Sequence, residues 1–263
     1  VTQEALQDGS AGRETVTSVL RACQLLSHFS ADRPVITLAE LTATTGLNKP
    51  TVHRLMSSFV EAGWVHREHT GAYRIRMPVF TIGAAALAGF DLRTEARPEL
   101  EALAQRFGDT AFLMVPSDAG AVCIDRVEGG KPMALAAISV GSVLPFHAAA
   151  APVAMAAFDP EIRRRVLKGR LEAFTEETHI DPAALASHLE RVRTEGISRS
   201  QDDYLRGVSA VAAPVLGQYG ALVGTISLGG HSEDFAGAEG EARAEAVRAA
   251  ADRLSTTVRA SRL

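Results

Sequence analysis

The stretch TLAELTATTGLNKPTVHRLMSSFVEAGWVHREHTGAYRIR, Thr37 to Arg76, decides how the front of the chain folds. Thr37 and Glu40 have the spacing of a capping box, in which each residue's side chain serves the other's backbone N–H. A helix is therefore expected from Leu38, with Leu38 and Leu41 inward and Gly46 ending it. Only Leu47 then separates that helix from Asn48, which can cap a second one. Pro50 falls in its first turn, where a missing N–H is tolerated. Val52, Leu55, Met56, Phe59 and Val60 repeat at helical spacing and predict one buried face. Lys49, Thr51, His53, Arg54 and Ser57 take the other face, and Gly63 stops the helix.

After Gly63 the pattern changes to a hairpin. Thr70-Gly71 makes the turn, and Tyr73 and Ile75 alternate with Arg74 and Arg76, giving one apolar and one basic face. Two helices with a short break, followed by a basic hairpin, form a winged helix-turn-helix. The second helix of such a pair enters the major groove N-terminus first, and the wing touches phosphates or the minor groove. The candidate DNA contacts are Asn48, Lys49, Thr51, His53 and Arg54 on the helix, with Arg67, His69 and Arg74 on the wing. Asn48 can cap the helix, contact DNA, or do both. From Lys49 to Arg76, Lys49, Arg54, Arg67, Arg74 and Arg76 oppose only Glu61 and Glu68, the local excess that phosphate binding needs. A winged helix used for protein contacts remains the alternative. His66 and His69 have ligand spacing, but no cysteine or acid pattern surrounds them, so no metal site is expected.

Outward from this core, Val16, Val19, Leu20, Cys23, Leu26 and Phe29 predict a helix over Thr15–Phe29 with those residues buried. Residues 1–14 are polar, lack a signal-peptide pattern and are expected to be a flexible tail. Cys23 and Cys123 both sit in apolar segments and are expected to be buried thiols in a reducing compartment. The chain has 263 residues, room for two domains, and a net charge of −4, so it is not basic as a whole. The charge is uneven, with a mildly basic front and an acidic back.

The back half mixes helices and strands. A helix is predicted over Arg93–Phe107, and short apolar strands over Thr110–Pro116, Gly120–Glu128 and Met133–Val140. No Asp, Glu, Lys or Arg occurs from Pro132 to Phe158. A membrane span is nevertheless excluded, because Gly141, Ser142, Pro145, His147 and Pro152 break VLPFHAAAAPVAMAAF (Val143–Phe158) into strand end, turn and helix start. Helices open at Asp159-Pro160 and Asp181-Pro182 and close at Gly169 and Gly196. Strands follow over Val208–Leu216 and Ala221–Gly230. A last helix runs from about Ala238 to Ala260, with Val247, Ala250, Leu254 and Val258 on one face. Strands in runs with helices grouped around them argue an α+β fold. No nucleophile elbow, phosphate loop, dinucleotide fingerprint or zinc-protease motif occurs, so neither an enzyme nor a cofactor is expected. Asp202-Asp203 reads as a solvated loop pair.

These motifs resemble the IclR family of bacterial transcriptional regulators. The likeness begins in LAELTATTGLNKPTVHRLMSSFVEAGWVHRE and GAYRI. It continues through LPFHAAAAPVAM, RTEGISRSQDDYLRGVSAVAAPV and ALVGTISLGG, over about residues 15–260. The resemblance implies a winged helix-turn-helix domain over residues 15–77 and a linker helix over 78–90. Residues 91–263 would form a GAF-like domain for effector binding and oligomerisation. It further implies a cytoplasmic homodimer or tetramer that represses transcription from a pseudo-palindromic operator. A small effector, aromatic or another organic acid, would control it. Matching the family's motif places Leu144, His147, Ala150, Ala151, Val208, Ala210 and Ser227 around that effector, with His147 open to a structural role instead.

The departures from the family's pattern concern polar anchors. Ala149 and Gly229 stand where hydroxyls are common, Ser200 where an acid is common, and Pro152-Val153 where the family shows Gly-Lys. Pro152 has no N–H, so the helix start has one donor fewer for a carboxylate. Two readings stay open: an effector that is larger and more apolar, or a pocket that has become packed core.

Overall fold

The computed structural model describes residues 15–30, 33–87, 91–131 and 138–260. The chain separates into two compact units, residues 1–89 and 90–263. In the first, α1 (Thr17–Leu26) and β1 (Val35–Ile36) lead into α2 (Leu38–Thr45) and α3 (Lys49–Glu61). They are followed by β2 (Val65–Arg67), β3 (Tyr73–Ile75) and α4 (Met77–Leu87). The capping box forms in both directions. Glu40 N–H donates to Thr37 Oγ1 at 3.2 Å, and Thr37 N–H donates to Glu40 Oε2 at 2.8 Å. Hydrogen bonds from the Thr37 hydroxyl and backbone, then from Arg33, pull the Glu40 carboxyl down to about 2. The hairpin gains a third, outer strand that the sequence pattern did not reveal, giving the order β1-β3-β2 with Ile36 opposite Tyr73. Leu25, Ile36, Leu41, Val52, Met56, Val65 and Tyr73 form the core.

The expected buried face of α1 is corrected. Val16, Val19 and Leu20 are exposed, as is Cys23, and the residue that anchors the helix is Leu25, wholly buried. Nine positions separate Val16 from Leu25, half a revolution at 3.6 residues per turn. The apolar stripe at Val16, Val19, Leu20 and Cys23 therefore points away from the side that docks.

The second unit holds α5 (Asp91–Phe107), β4 (Thr110–Pro116), β5 (Ala121–Val127), β6 (Val143–Leu144), α6 (Ala150–Phe158) and α7 (Pro160–Lys168). Then come α8 (Pro182–Glu195), β7 (Ser198–Gln201), β8 (Val208–Leu216), β9 (Leu222–His231) and α9 (Gly237–Ala260). The six strands form one antiparallel sheet in the order β6-β5-β4-β9-β8-β7. Side chains alternate between its faces. Phe112, Met114 and Ala212 pack with α6, whose residues from Ala150 to Ala157 are all buried. Leu113, Val211, Ile226 and Leu228 take the other face, against which α5 and α9 pack. Asp159 and Asp181 cap α7 and α8 through their carboxylates, as their place before proline predicts.

The expected strand Met133–Val140 falls mostly outside the described residues, and its described part, residues 138–140, is not strand. The tail 1–14 and the last three residues of the expected linker helix, 88–90, also lie outside them. Among the described residues no helix is long and apolar enough to cross a membrane.

Candidate nucleic-acid interface and ligand cavity

α3 is held by its apolar side and offers the rest. Val52 and Met56 are wholly buried, while Lys49, His53, Arg54 and Ser57 are exposed and Thr51 is half-buried. Asn48 Oδ1 accepts the Thr51 N–H at 2.9 Å, so the residue caps the helix while itself remaining exposed. Lys49 and Arg54 enter no ion pair with any described residue. Their charge is thus uncompensated, and Lys49 adds to the already positive dipole at the start of the helix, a field that attracts phosphate.

On the wing, Arg67, His69 and Arg74 are all exposed. Arg74 Nε lies 2.7 Å from Glu68 Oε1, which offsets its charge in the free protein. Arg67 rests over the Tyr73 ring, 6.0 Å from its centroid. Gly71, at φ +85°, makes the tip of the hairpin in the left-handed region that glycine adopts without strain. The three wing residues and the α3 residues thus share one exposed, basic unit.

In the second unit a cavity of about 40 Å³ lies between the sheet and the start of α6. Leu144, Ala150, Ala151, Val208, Ala210 and Ser227 line it, together with Phe112 and Met114 of β4 and Tyr204 and Leu205 of the loop after β7. Ala149, Pro152, Ser200 and Gly229 complete the wall with Ile138. All four departures from the family's polar pattern therefore sit at the cavity. The β4 and loop contributions escape sequence reading because they come from elements distant in the chain. The alternation along TAFLMVP was the signal that could have selected Phe112 and Met114.

His147 stands apart from the cavity wall. Its Nε2 lies 2.9 Å from the Glu172 carbonyl and 3.2 Å from the Glu172 nitrogen, and its ring packs on Phe174 at 5.7 Å. It ties the loop after α7 to the turn before α6.

Asp202 and Asp203 are not the solvated pair their sequence suggests. Asp203 is buried, accepting the Ser200 hydroxyl at 2.5 Å and the Ala149 N–H at 3.2–3.3 Å. Burial raises its pKa above the usual carboxylate value, against the pull of those hydrogen bonds. Asp202 accepts the Gly207 N–H at 2.6 Å and the Ser232 hydroxyl at 2.9 Å. The reason is local: the chain turns between β7 and β8, and both carboxylates satisfy backbone donors of that turn and its neighbours. Ala149 itself adopts φ +64°, ψ 152°, a conformation costly for any residue with a Cβ, about 1–3 kcal/mol. Asp203 helps to hold it there.

Cys123 is buried, and that burial pushes its thiol up to about 12, which disfavours the nucleophilic thiolate. Ser227 reaches the cavity while His147 does not line it, so these groups are not assembled into one reactive site. Among the described residues no cluster of ligand side chains could hold a metal ion.

Residues 84–256 match the family described as bacterial transcriptional regulator IclR C-terminal, and residues 18–69 match the IclR helix-turn-helix domain. The chain belongs to the IclR family of bacterial transcriptional regulators. It is 30% identical over 226 residues to the HTH-type transcriptional regulator Rv1719 of Mycobacterium tuberculosis, covering 85% of each chain. It is 27% identical over 220 residues to the transcriptional repressor IclR of Escherichia coli, covering 82% of this chain and 80% of that one. Among solved structures, an IclR transcriptional regulator from Silicibacter sp. TM1040 superposes with a TM-score of 0.81 at 28% identity. The match covers 92% of this chain and 96% of that one. An IclR-type regulator thus carries its helix-turn-helix at the front and its family-defining α+β domain behind.

Proposed function

We propose that this IclR-family regulator is a cytoplasmic repressor that binds a pseudo-palindromic operator as a homodimer or tetramer. A small organic effector, held in the cavity at the start of α6, controls it. The observation that carries the DNA reading is the exposed basic face of α3, where Lys49 and Arg54 have no acidic partner among the described residues. Asn48, Thr51 and His53 complete the groove contacts, and Arg67, His69 and Arg74 serve the wing. Repression is supported by the name of the Escherichia coli relative.

Assembly is supported by apolar surface in the first unit. Val16, Val19 and Leu20 on α1, and Met77, Phe80 and Ile82 on α4, are between 44% and 69% exposed. Val16, Val19 and Leu20 share one face at helical spacing, and exposed apolar residues that run together in this way mark an interaction surface. A dimer presents two recognition helices, and the spacing of two half-sites mirrors its two-fold symmetry. Division of the chain into DNA-binding residues 15–77, linker 78–90 and effector domain 91–263 follows the same reading.

The test is gel mobility and footprinting on the DNA flanking the protein's own gene, with a salt titration. Protection of two half-sites, with affinity falling steeply as salt rises, is the expected result. Binding that ignores both sequence and salt would overturn the reading.

A further inference from the structure

The cavity at the start of α6 contains hydrogen-bonding groups but no charge. None of its lining residues is ionisable at neutral pH, and the uncharged run from Pro132 to Phe158 supplies no cation. Arg126 of β5, which contacts two of the lining residues, does not itself line it. Arg126 packs over the Phe112 ring at 5.8 Å and is engaged by the Ile138 carbonyl at 2.8 Å and Glu128 at 2.7 Å.

The donors that remain are specific. Ser227 is 4% exposed, lines the cavity and makes no side-chain hydrogen bond to another described residue. The backbone N–H groups of Ala150 and Ala151 open α6 and likewise have no partner among the described residues. The third first-turn residue is Pro152, which has no N–H to give. Such a site can hold one oxygen acceptor against an otherwise apolar wall.

A carboxylate already lies beside the positive end of α6. The Asp203 carboxylate accepts the Ala149 N–H, one residue before the helix, and lies behind the wall formed by Ala149 and Ser200. A ligand carboxylate would enter an apolar cavity beside that group without a counter-ion. Burying an unpaired charge is among the most costly steps in recognition, and a second anion at one helix terminus receives less from the dipole than the first.

We propose that the effector of this regulator is uncharged: an apolar body with one carbonyl or hydroxyl oxygen placed on the Ala150 and Ala151 N–H groups and Ser227. The proposal rests on the reading of the cavity as the effector site and fixes the chemistry of its occupant. The volume sets a second condition. An engineered cavity of about 150 Å³ accepts benzene, so the 40 Å³ present here admits the oxygen and one or two carbons of a ligand, and even a branched four-carbon amide requires the cavity to widen. A ring enters only if the Tyr204–Leu205 segment moves outward.

The experiment compares matched amides and acids, which differ in charge and hardly in shape. Isobutyramide with isobutyrate, and benzamide with benzoate, are titrated calorimetrically into the full-length protein at neutral pH. The same titrations use two variants, Asp203→Asn and Ala210→Leu. Asp203→Asn keeps an acceptor for Ala149 and removes the charge, while Ala210→Leu fills the cavity. Circular dichroism verifies that each variant is folded. The amides are expected to bind at least about tenfold tighter than their acids. Asp203→Asn should shrink that ratio, and Ala210→Leu should abolish binding of both. Acids that bind tighter than amides, and are lost in Ala210→Leu, would overturn the uncharged effector and leave the cavity reading intact. Binding of neither class, or binding indifferent to Ala210→Leu, would overturn both.

Discussion

Asn48 Oδ1 accepts the backbone N–H of Thr51 at 2.9 Å, at the start of the helix that carries Arg54 on its next exposed turn. One side chain therefore fixes the first turn of α3 and sits where a phosphate would approach. Asn48→Ala should destabilise the first unit by about 0.5–2 kcal/mol, the usual worth of an N-cap. Asn48→Asp should preserve the cap, because a carboxylate accepts the same N–H and suits the dipole. It should still weaken operator binding by placing a negative charge beside DNA. Trp64, the sole tryptophan, stacks on Phe59 at 6.2 Å, so urea denaturation followed by its fluorescence reads the stability of this unit. Equal loss of stability in both variants would remove the cap from the account.

On the proposed reading, Lys49 and Arg54 would divide the work of recognition differently. Arg54 is exposed near the middle of the apolar-anchored helix, where it can reach a base edge. Arg54→Ala is expected to cost about 1–3 kcal/mol on the operator and much less on random DNA. Lys49, in the first helical position, is placed for phosphate. Lys49→Ala should weaken all DNA alike and reduce the slope of log K against log salt by about 1. Salt-dependent gel-mobility assays on both DNAs decide the assignment. A uniform loss for Arg54→Ala would move it to the phosphate class, and unchanged binding would remove it from the interface.

The parts of the fold legible in sequence are those specified by local chemistry. The capping box at Thr37 and Glu40, the Asn48 cap, the glycines at helix ends and the period of α3 each concern neighbours along the chain. The orientation of α1 depends instead on which side meets α2 and α3, so Leu25 rather than Val16, Val19 and Leu20 became its anchor. β1 and β7 were missed because two and four residues carry too little alternation to register; pairing with β3 and β8 makes them strands. At the cavity, the family motif placed Leu144, Ala150, Ala151, Val208, Ala210 and Ser227 on one wall. It gave no sign that Asp203 would be buried against Ala149, since that contact joins positions 54 apart. His147 was matched by motif, yet its ring is spent on the Glu172 backbone.

His188 gives the second unit a pH dependence of known sign. Its ring lies 4.8 Å from that of His179, and its Nδ1 lies 3.2 Å from Arg191. Burial first, then His179 and Arg191, lower its pKa to about 4, against a weaker opposite effect of Glu195. The unfolded chain protonates this histidine near 6.5, so acid favours unfolding there. Its destabilisation is absent above that pH, grows as pH falls from about 6.5 to about 4, and then levels off. Asp203, whose pKa is raised, works in the opposite sense, since its folded form holds a proton more tightly. His188→Gln separates the two. The midpoint of urea unfolding, followed by circular dichroism, should fall less between about pH 6.5 and about pH 4.5 in that variant than in the parent. Identical slopes would show that His188 is not the group responsible.

Arg243 and Asp109 form the most enclosed ion pair among the described residues, with Nε to Oδ2 at 2.8 Å and side chains 4% and 0% exposed. The guanidinium lies 5.0 Å from the Phe107 ring and 5.2 Å from Phe235, and its Nη1 bonds the Glu239 carbonyl and carboxylate. Lys131 approaches the other Asp109 oxygen at 3.2 Å from a more exposed position. This arrangement joins the end of α5, the start of β4 and the first turns of α9. Removing one partner leaves a buried charge unpaired, which typically costs about 3–5 kcal/mol. Arg243→Met keeps much of the apolar volume and should lose stability in that range. Lys131→Met should lose about 1 kcal/mol or less, because its ammonium is partly solvated. If the pair mainly orders the junction, the double variant Asp109→Leu with Arg243→Met should recover part of the loss, since no charge is then buried alone. Denaturant unfolding followed by circular dichroism measures these three variants and the single Asp109→Leu, which completes the cycle. Additive losses in the double variant would instead mean that the two side chains stabilise the unit independently.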